Sequence, residues 1–172
     1  MAETLDAFLE LCKGGKPAIE GETLDAVFSP KKAAQVTKFK LSCQKELTDD
    51  DSESEDDSQP FVLNITKEID AASGDIFQGY CYHAGKRFIP FTDGKLTVRK
   101  GGRGQIEFLI FEMTEVYIKN WRLENSDSDP LPEEIFDLCF NTLKITYYAQ
   151  KPSGEQGSYT DGMGDFGAPK KK

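Results

Sequence analysis

The chain contains no apolar run approaching the roughly 20 residues that a membrane-spanning helix needs, so a helical membrane protein is excluded. It has a single histidine, His83, which leaves histidine-based acid–base chemistry and most transition-metal sites short of side chains. Its four cysteines, Cys12, Cys43, Cys81 and Cys139, are scattered and form no C-x-x-C pair. They read as reduced, mostly buried thiols rather than metal ligands. Neither G-x-S-x-G nor H-E-x-x-H occurs, so no hydrolase or metalloprotease signature is present. The opening Met1-Ala2-Glu3-Thr4-Leu5-Asp6 lacks the basic and apolar regions of a signal peptide, and the expectation is synthesis in the cytoplasm. Positive charge is also in deficit: 21 Lys and Arg against 30 Asp and Glu give a net charge of -9, which argues against nucleic-acid binding as the main task.

What is present suits one domain with a real core plus tails: 172 residues, 38% of them hydrophobic. Twelve Phe and six Tyr favour sheet over a helical bundle. Phe8-Leu9-Glu10-Leu11 reads as a first strand, and Ser29-Pro30-Lys31-Lys32 as a single helical turn. Residues 36–44 alternate, with Phe39, Leu41 and Cys43 on one face and Lys38 and Lys40 on the other. Phe61, Leu63 and Ile65 alternate with Val62, Asn64 and Thr66 in a further strand. Ser73 is placed to cap a short helix with Asp75 in its first turn, presenting Ile76, Phe77 and Tyr80 to a sheet until Gly85 ends it.

A hairpin follows. Lys95-Leu96-Thr97-Val98-Arg99 and residues 105–113 alternate on either side of Gly101-Gly102-Arg103-Gly104. Those glycines resemble a phosphate cradle, but they join two antiparallel strands instead of opening a helix, and a turn is the reading they support. Ile106, Phe108 and Ile110 are expected to line the core face. Leu109, Phe111 and Met113 then share the outer face with Glu107, and that much apolar surface predicts a neighbouring subunit. Glu107, Glu112 and Glu115 read as outward strand positions, so no carboxylate pair for catalysis is assigned. Residues 116–123 form another expected strand. The longest, over residues 135–149, changes parity after Phe140, which predicts a bulge near Asn141-Thr142.

Two segments stand apart. Seven of the nine residues 49–57 are acidic (Asp49, Asp50, Asp51, Glu53, Glu55, Asp56 and Asp57), and the surrounding stretch 48–60 should be a solvated loop within the domain. Calcium is a weaker reading, because the EF-hand spacing and its glycine are missing. From residue 151 onward the chain is rich in Gly and ends in Lys170-Lys171-Lys172. The domain is therefore drawn as residues 1–150, with 151–172 a flexible tail.

The order of these pieces resembles a known family. Ile65-Thr66-Lys67-Glu68-Ile69-Asp70-Ala71-Ala72-Ser73, then Phe77-Gln78, then Leu96-Thr97-Val98-Arg99-Lys100 before a Gly-rich turn, and Leu131-Pro132-Glu133-Glu134-Ile135 are similar to Hcp, the tube protein of bacterial type VI secretion systems. Phe8-Leu9-Glu10-Leu11 and Ile19-Glu20-Gly21-Glu22-Thr23 match more loosely. The resemblance implies a mainly β fold, an antiparallel split β-barrel with one short flanking helix. It implies homo-hexameric rings that stack into a hollow tube, contacts with a contractile sheath and spike, effectors carried in the lumen, and export through the type VI apparatus. It implies neither enzymatic activity nor a cofactor. The acidic loop falls where the family has an extended loop that helps one ring stack on the next. Two alternatives stand beside it: a tail-tube subunit of another contractile injection system, and a monomeric barrel enclosing a small apolar ligand.

Overall fold

The computed structural model describes residues 5–43, 61–84, 91–101, 105–125 and 131–166, apart from the side chains of Cys43, His83 and Ala84. The acidic loop, Gly85, the hairpin turn at 102–104 and the last lysines lie outside the described residues.

The order is β1 (Leu5–Lys13), β2 (Lys16–Pro17), a 3-10 turn (Ser29–Lys31), β3 (Ala34–Val36), β4 (Lys38–Cys43), β5 (Phe61–Glu68), α1 (Ala72–Ala84), β6 (Phe91–Lys100), β7 (Glu107–Glu124), β8 (Glu133–Cys139), β9 (Thr142–Gln150) and β10 (Gln156–Asp165). All pairing is antiparallel. One half of the sheet runs β1-β6-β7-β9-β10 and the other β7-β8-β5-β4. The stretch 34–43 pairs first with β1 and then with β5, changing sides at Thr37, whose N–H donates to Thr66 O at 2.9 Å. The sheet thus curls into an antiparallel split barrel with one helix against it, the fold class that the family resemblance implied.

β7 is the hinge of this arrangement. The sequence suggested two strands here, but 18 residues run as one, because left-handed residues absorb the bends that a break would otherwise supply. Glu115 (φ 50°) and Asn120 (φ 52°) hold that conformation, and the register against β8 shifts between Lys119 and Arg122. The first half of β7 pairs with β6 and β9, the second with β8. The reverse holds for the expected long strand at 135–149. It is broken at Phe140-Asn141 into β8 and β9, which belong to opposite halves of the sheet, so the parity change marks a change of partner and not a bulge. The expected flexible tail is also corrected: β10 pairs with β9 from Gln156 to Asp165, and Phe166 then packs on Phe61 and Phe140.

The interior is filled by side chains. Leu9, Leu96, Phe111 and Ile145 align across four strands, and Leu63–Leu138 and Ile65–Phe136 face them from the other half. Each fully buried side chain of this size contributes about 1.5–3 kcal/mol. At positions 110, 111 and 113 the faces of the hairpin are therefore the opposite of those expected. Phe111 and Met113 are core residues at 4% and 2% exposure, and Leu109 packs against the same cluster. Of the residues expected inward, Phe108 does pack against this cluster, whereas Ile110 lies between Thr97 and Thr146 on the other face. On that same face, Glu10, Lys95, Glu112 and Lys144 stand opposite one another across four strands, an alternation of sign that favours this register.

Helix α1 begins one turn earlier in its logic than the Ser73 cap implied. Asp70 Oδ1 accepts from the Ala72 N–H at 3.0 Å, while the Ser73 hydroxyl is used elsewhere. Ala72 and Ile76 face the core, and Gly79 lets the helix settle onto Phe91, where a Cβ would sit 3.1 Å from the ring. Because Phe111 fills the interior of its own subunit, Phe111→Ala should cost about 3–5 kcal/mol in denaturant unfolding, with no folded monomer released. A folded, dissociated product would return this residue to an interface.

Candidate functional site: a buried lysine clamp and the exposed edge

Period-2 counting puts Leu63, Ile65 and Lys67 on one face of β5, so a lysine is carried into the interior. It is 0% exposed. Its ammonium lies 2.7 Å from Glu68 O and Asp70 Oδ1 and 3.2 Å from Ser73 Oγ and Glu134 Oε2, so its three N–H groups are shared among four oxygen atoms. Glu134 lies directly opposite on β8. Its Oε2 also accepts from the Ser73 hydroxyl at 2.8 Å, and its Oε1 from Trp121 Nε1 at 2.7 Å. The far oxygen of Asp70 accepts from the Glu22 N–H, and Glu22 Oε2 in turn accepts from the Ala71 N–H at 3.0 Å. One cation therefore ties β5, β8, α1, β7 and the 19–23 turn together. A buried charge of this kind persists only when paired and fully hydrogen-bonded.

Glycine has a defined role in the 19–23 turn. A Cβ on Gly21 would lie 2.1 Å from Ala33 O, so only glycine allows this turn to hydrogen-bond Lys32 O. The next segment folds back over the outer face of β1 and β6. Phe28 stacks on Phe8 at 4.2 Å, and Arg99 lies over both rings, bonded to Asp25 Oδ2 at 2.5 Å. The hydrogen bond from Arg99 holds the Asp25 carboxyl below its usual value of 3.8.

Surface features differ from the expected interface. Leu24 is 97% exposed at the tip of the covering segment, with Val27 half-exposed beside it. β10 pairs on one side only among the described residues, and Tyr159 and Met163 project from it at 62% and 70% exposure. This ten-residue edge has three glycines and no lysine or proline; a register irregularity between Gln156 and Tyr159 and the charges of Asp161 and Asp165 interrupt it. Among the described residues no group of three or more His, Cys, Asp or Glu could hold a metal, and no helix is long and apolar enough to cross a membrane. Cys139 is buried, which pushes its thiol up to about 11, whereas Cys81 is exposed.

A family model described as type VI secretion system effector, Hcp, matches residues 8–147. The chain belongs to the Hcp family. Among curated relatives, Protein hcp1 of Pseudomonas aeruginosa is 30% identical over 93 residues, so the chain spans about half of that relative (54% of each). Among solved structures, Hcp1 from Salmonella typhimurium superposes with a TM-score of 0.68 at 22% identity, covering 94% of each chain. A type VI secretion system effector from Yersinia pestis gives 0.64 at 22% identity, covering 92% of this chain and 98% of its own. These likenesses establish the fold.

Within this Hcp chain, the clamp residues Lys67, Asp70, Ser73 and Glu134 lie in two of the stretches that carried the sequence resemblance, 65–73 and 131–135. The interface expected from Leu109, Phe111 and Met113 is not brought to the surface, and the acidic loop falls outside the described residues. Lys67→Met should therefore cost about 3–5 kcal/mol, read by urea unfolding, because Glu134 is left buried without its cation. Adding Glu134→Gln should recover part of the loss; equal instability in both variants would mean that lysine packing, not charge, matters. For Asp25 the sign follows from its lowered value. The stabilisation is present above 3.8 and is lost as pH falls through the folded-state value. Asp25→Asn should lower Tm at neutral pH, and the gap to the parent protein should close below 3.8 in an acid melting series.

Proposed function

We propose that this chain is a structural subunit of a type VI secretion tube. In this reading, homo-hexameric rings stack into a hollow inner tube that is propelled outward by a contractile sheath, capped by a spike, and carries or chaperones effectors. The protein leaves the cell through that apparatus. The family match over residues 8–147 carries the reading. Two physical features support assembly over catalysis. β10 offers an edge paired on one side among the described residues, with Tyr159 and Met163 exposed, and Leu24 stands in solvent at the tip of the covering segment. Surfaces of different shape on one subunit suit the head-to-tail contacts from which closed rings are built. The ligand-barrel alternative loses its support, because Leu9, Leu96, Phe111, Ile65 and Phe136 occupy the space a ligand would need.

Stacking is assigned to the acidic loop, with Asp49, Asp50, Asp51, Glu53, Glu55, Asp56 and Asp57 facing the next ring. Seven carboxylates in nine residues repel their like, and screening shortens from about 10 Å at 0.1 M salt to about 3 Å at 1 M. Size-exclusion chromatography with light scattering should give a mass six times that of the 19.2 kDa chain, and electron microscopy of the same sample should show stacks lengthening with salt. A monomer would overturn the tube reading. Stacks that dissolve with salt would instead mean that basic residues pair with the loop across rings.

A further inference from the structure

The barrel is split where the chain leaves β1 for β5 at Thr37, and the split opens as a surface groove of about 450 Å³. Leu5, Val36 and Ile69 give it an apolar floor and wall. Its charged lining consists of Glu22, Glu68 and Asp70; Asp70 is already paired with Lys67, which leaves Glu22 and Glu68 to meet an incoming cation. Leu5 and Ile69 are both about half-exposed, so the groove is apolar surface left open in the subunit, rimmed by negative charge.

The sequence beyond Phe166 has the complementary chemistry. Gly167-Ala168-Pro169-Lys170-Lys171-Lys172 carries two small apolar residues followed by three cations. Other segments outside the described residues fit less well. Residues 1–4, 44–60 and 126–130 carry a net negative charge, 102–104 carries one cation and no apolar side chain, and 85–90 carries two cations against the three of 167–172. We propose that the segment 167–172 of a second copy of this chain docks in the barrel split, with Ala168 and Pro169 on Leu5, Val36 and Ile69 and the lysines against Glu22 and Glu68.

The reach of the chain selects the second copy. Phe166 packs beside Phe61 at one end of β5, with ring centroids 5.1 Å apart, and the groove begins at Glu68 at the other end. Seven residues of strand span roughly 23 Å. Ala168 is two residues past Phe166 and reaches at most about 7 Å, and even Lys172 reaches at most about 21 Å when fully extended. A subunit cannot lay its own Ala168 and Pro169 on its own groove. Docking therefore links subunits, and the inference rests on the multi-subunit reading above.

A zero-length carbodiimide reagent joins a lysine amine to a carboxylate only when the two already touch. Applied to particles co-assembled from light and isotope-labelled chains, it should produce cross-linked peptides joining Lys170, Lys171 or Lys172 to Glu22 or Glu68, many of them in light–heavy pairs. Glu22→Gln with Glu68→Gln should also speed tryptic removal of the last lysines from the intact particle by roughly fivefold, the size expected for two exposed ion pairs. Cross-links confined to one chain, cross-links running to the acidic loop instead, or an unchanged tryptic rate would each overturn the docking. If particle mass stays six-fold while these signals are missing, the docking fails and the tube reading stands; a monomeric mass removes both.

Discussion

The fold depends on one buried ammonium group. Lys67 sits at the point where two strands, the start of the helix, the end of β7 and the 19–23 turn converge, and its three N–H groups are shared among four oxygen atoms there. An apolar side chain of the same volume would fill the space, but it would not dictate which elements meet there. Each of the two carboxylates it faces is itself fixed by a second donor: Glu134 by Trp121 and Ser73, Asp70 by the Ala72 N–H. The geometry is over-determined, which is the condition under which a buried ion pair specifies an arrangement instead of merely costing desolvation. The helix cap follows from the same cluster, since Asp70 serves the cation and the first turn of α1 together.

The second constraint is the path of β7. Its left-handed residues at Glu115 and Asn120 turn the strand without ending it, and each is anchored by a hydrogen bond, Glu115 from Asn141 and Asn120 to Asp137. Asn141 lies in the break between β8 and β9. The bend in one strand and the break in another are thus fastened to each other, and the two halves of the sheet receive their relative orientation there. Positive φ at a glutamate is uncommon, and the hydrogen bond to Asn141 fixes the side chain at the bend.

Much of this was legible in the chain. Alternation located every major strand except β10, and the placement of β1, β4, β5 and β6 followed from it. The clamp was legible in principle, because the count that sends Leu63 and Ile65 inward also sends Lys67 inward, and the count through Phe136 and Leu138 does the same for Glu134. What misled the reading was the assumption that a charged residue in a strand faces water. The hairpin faces were inverted for a related reason: both faces of β7 carry apolar residues, so alternation alone could not say which was inside, and the register against β6 decided it. β10 was invisible because glycine and serine carry no periodic signal. Its place is set by the partner strand β9, not by propensity.

That β7 belongs to both halves of the sheet also has a mechanical meaning. In a barrel made of two separately closed sheets, either one could loosen while the other held. Here a single 18-residue strand is bonded along its first half to β6 and β9 and along its second half to β8. Pulling at either half loads the same backbone, and the bonds across it resist together in shear instead of parting one at a time. Strain applied to either half of the sheet therefore reaches the other through one continuous backbone.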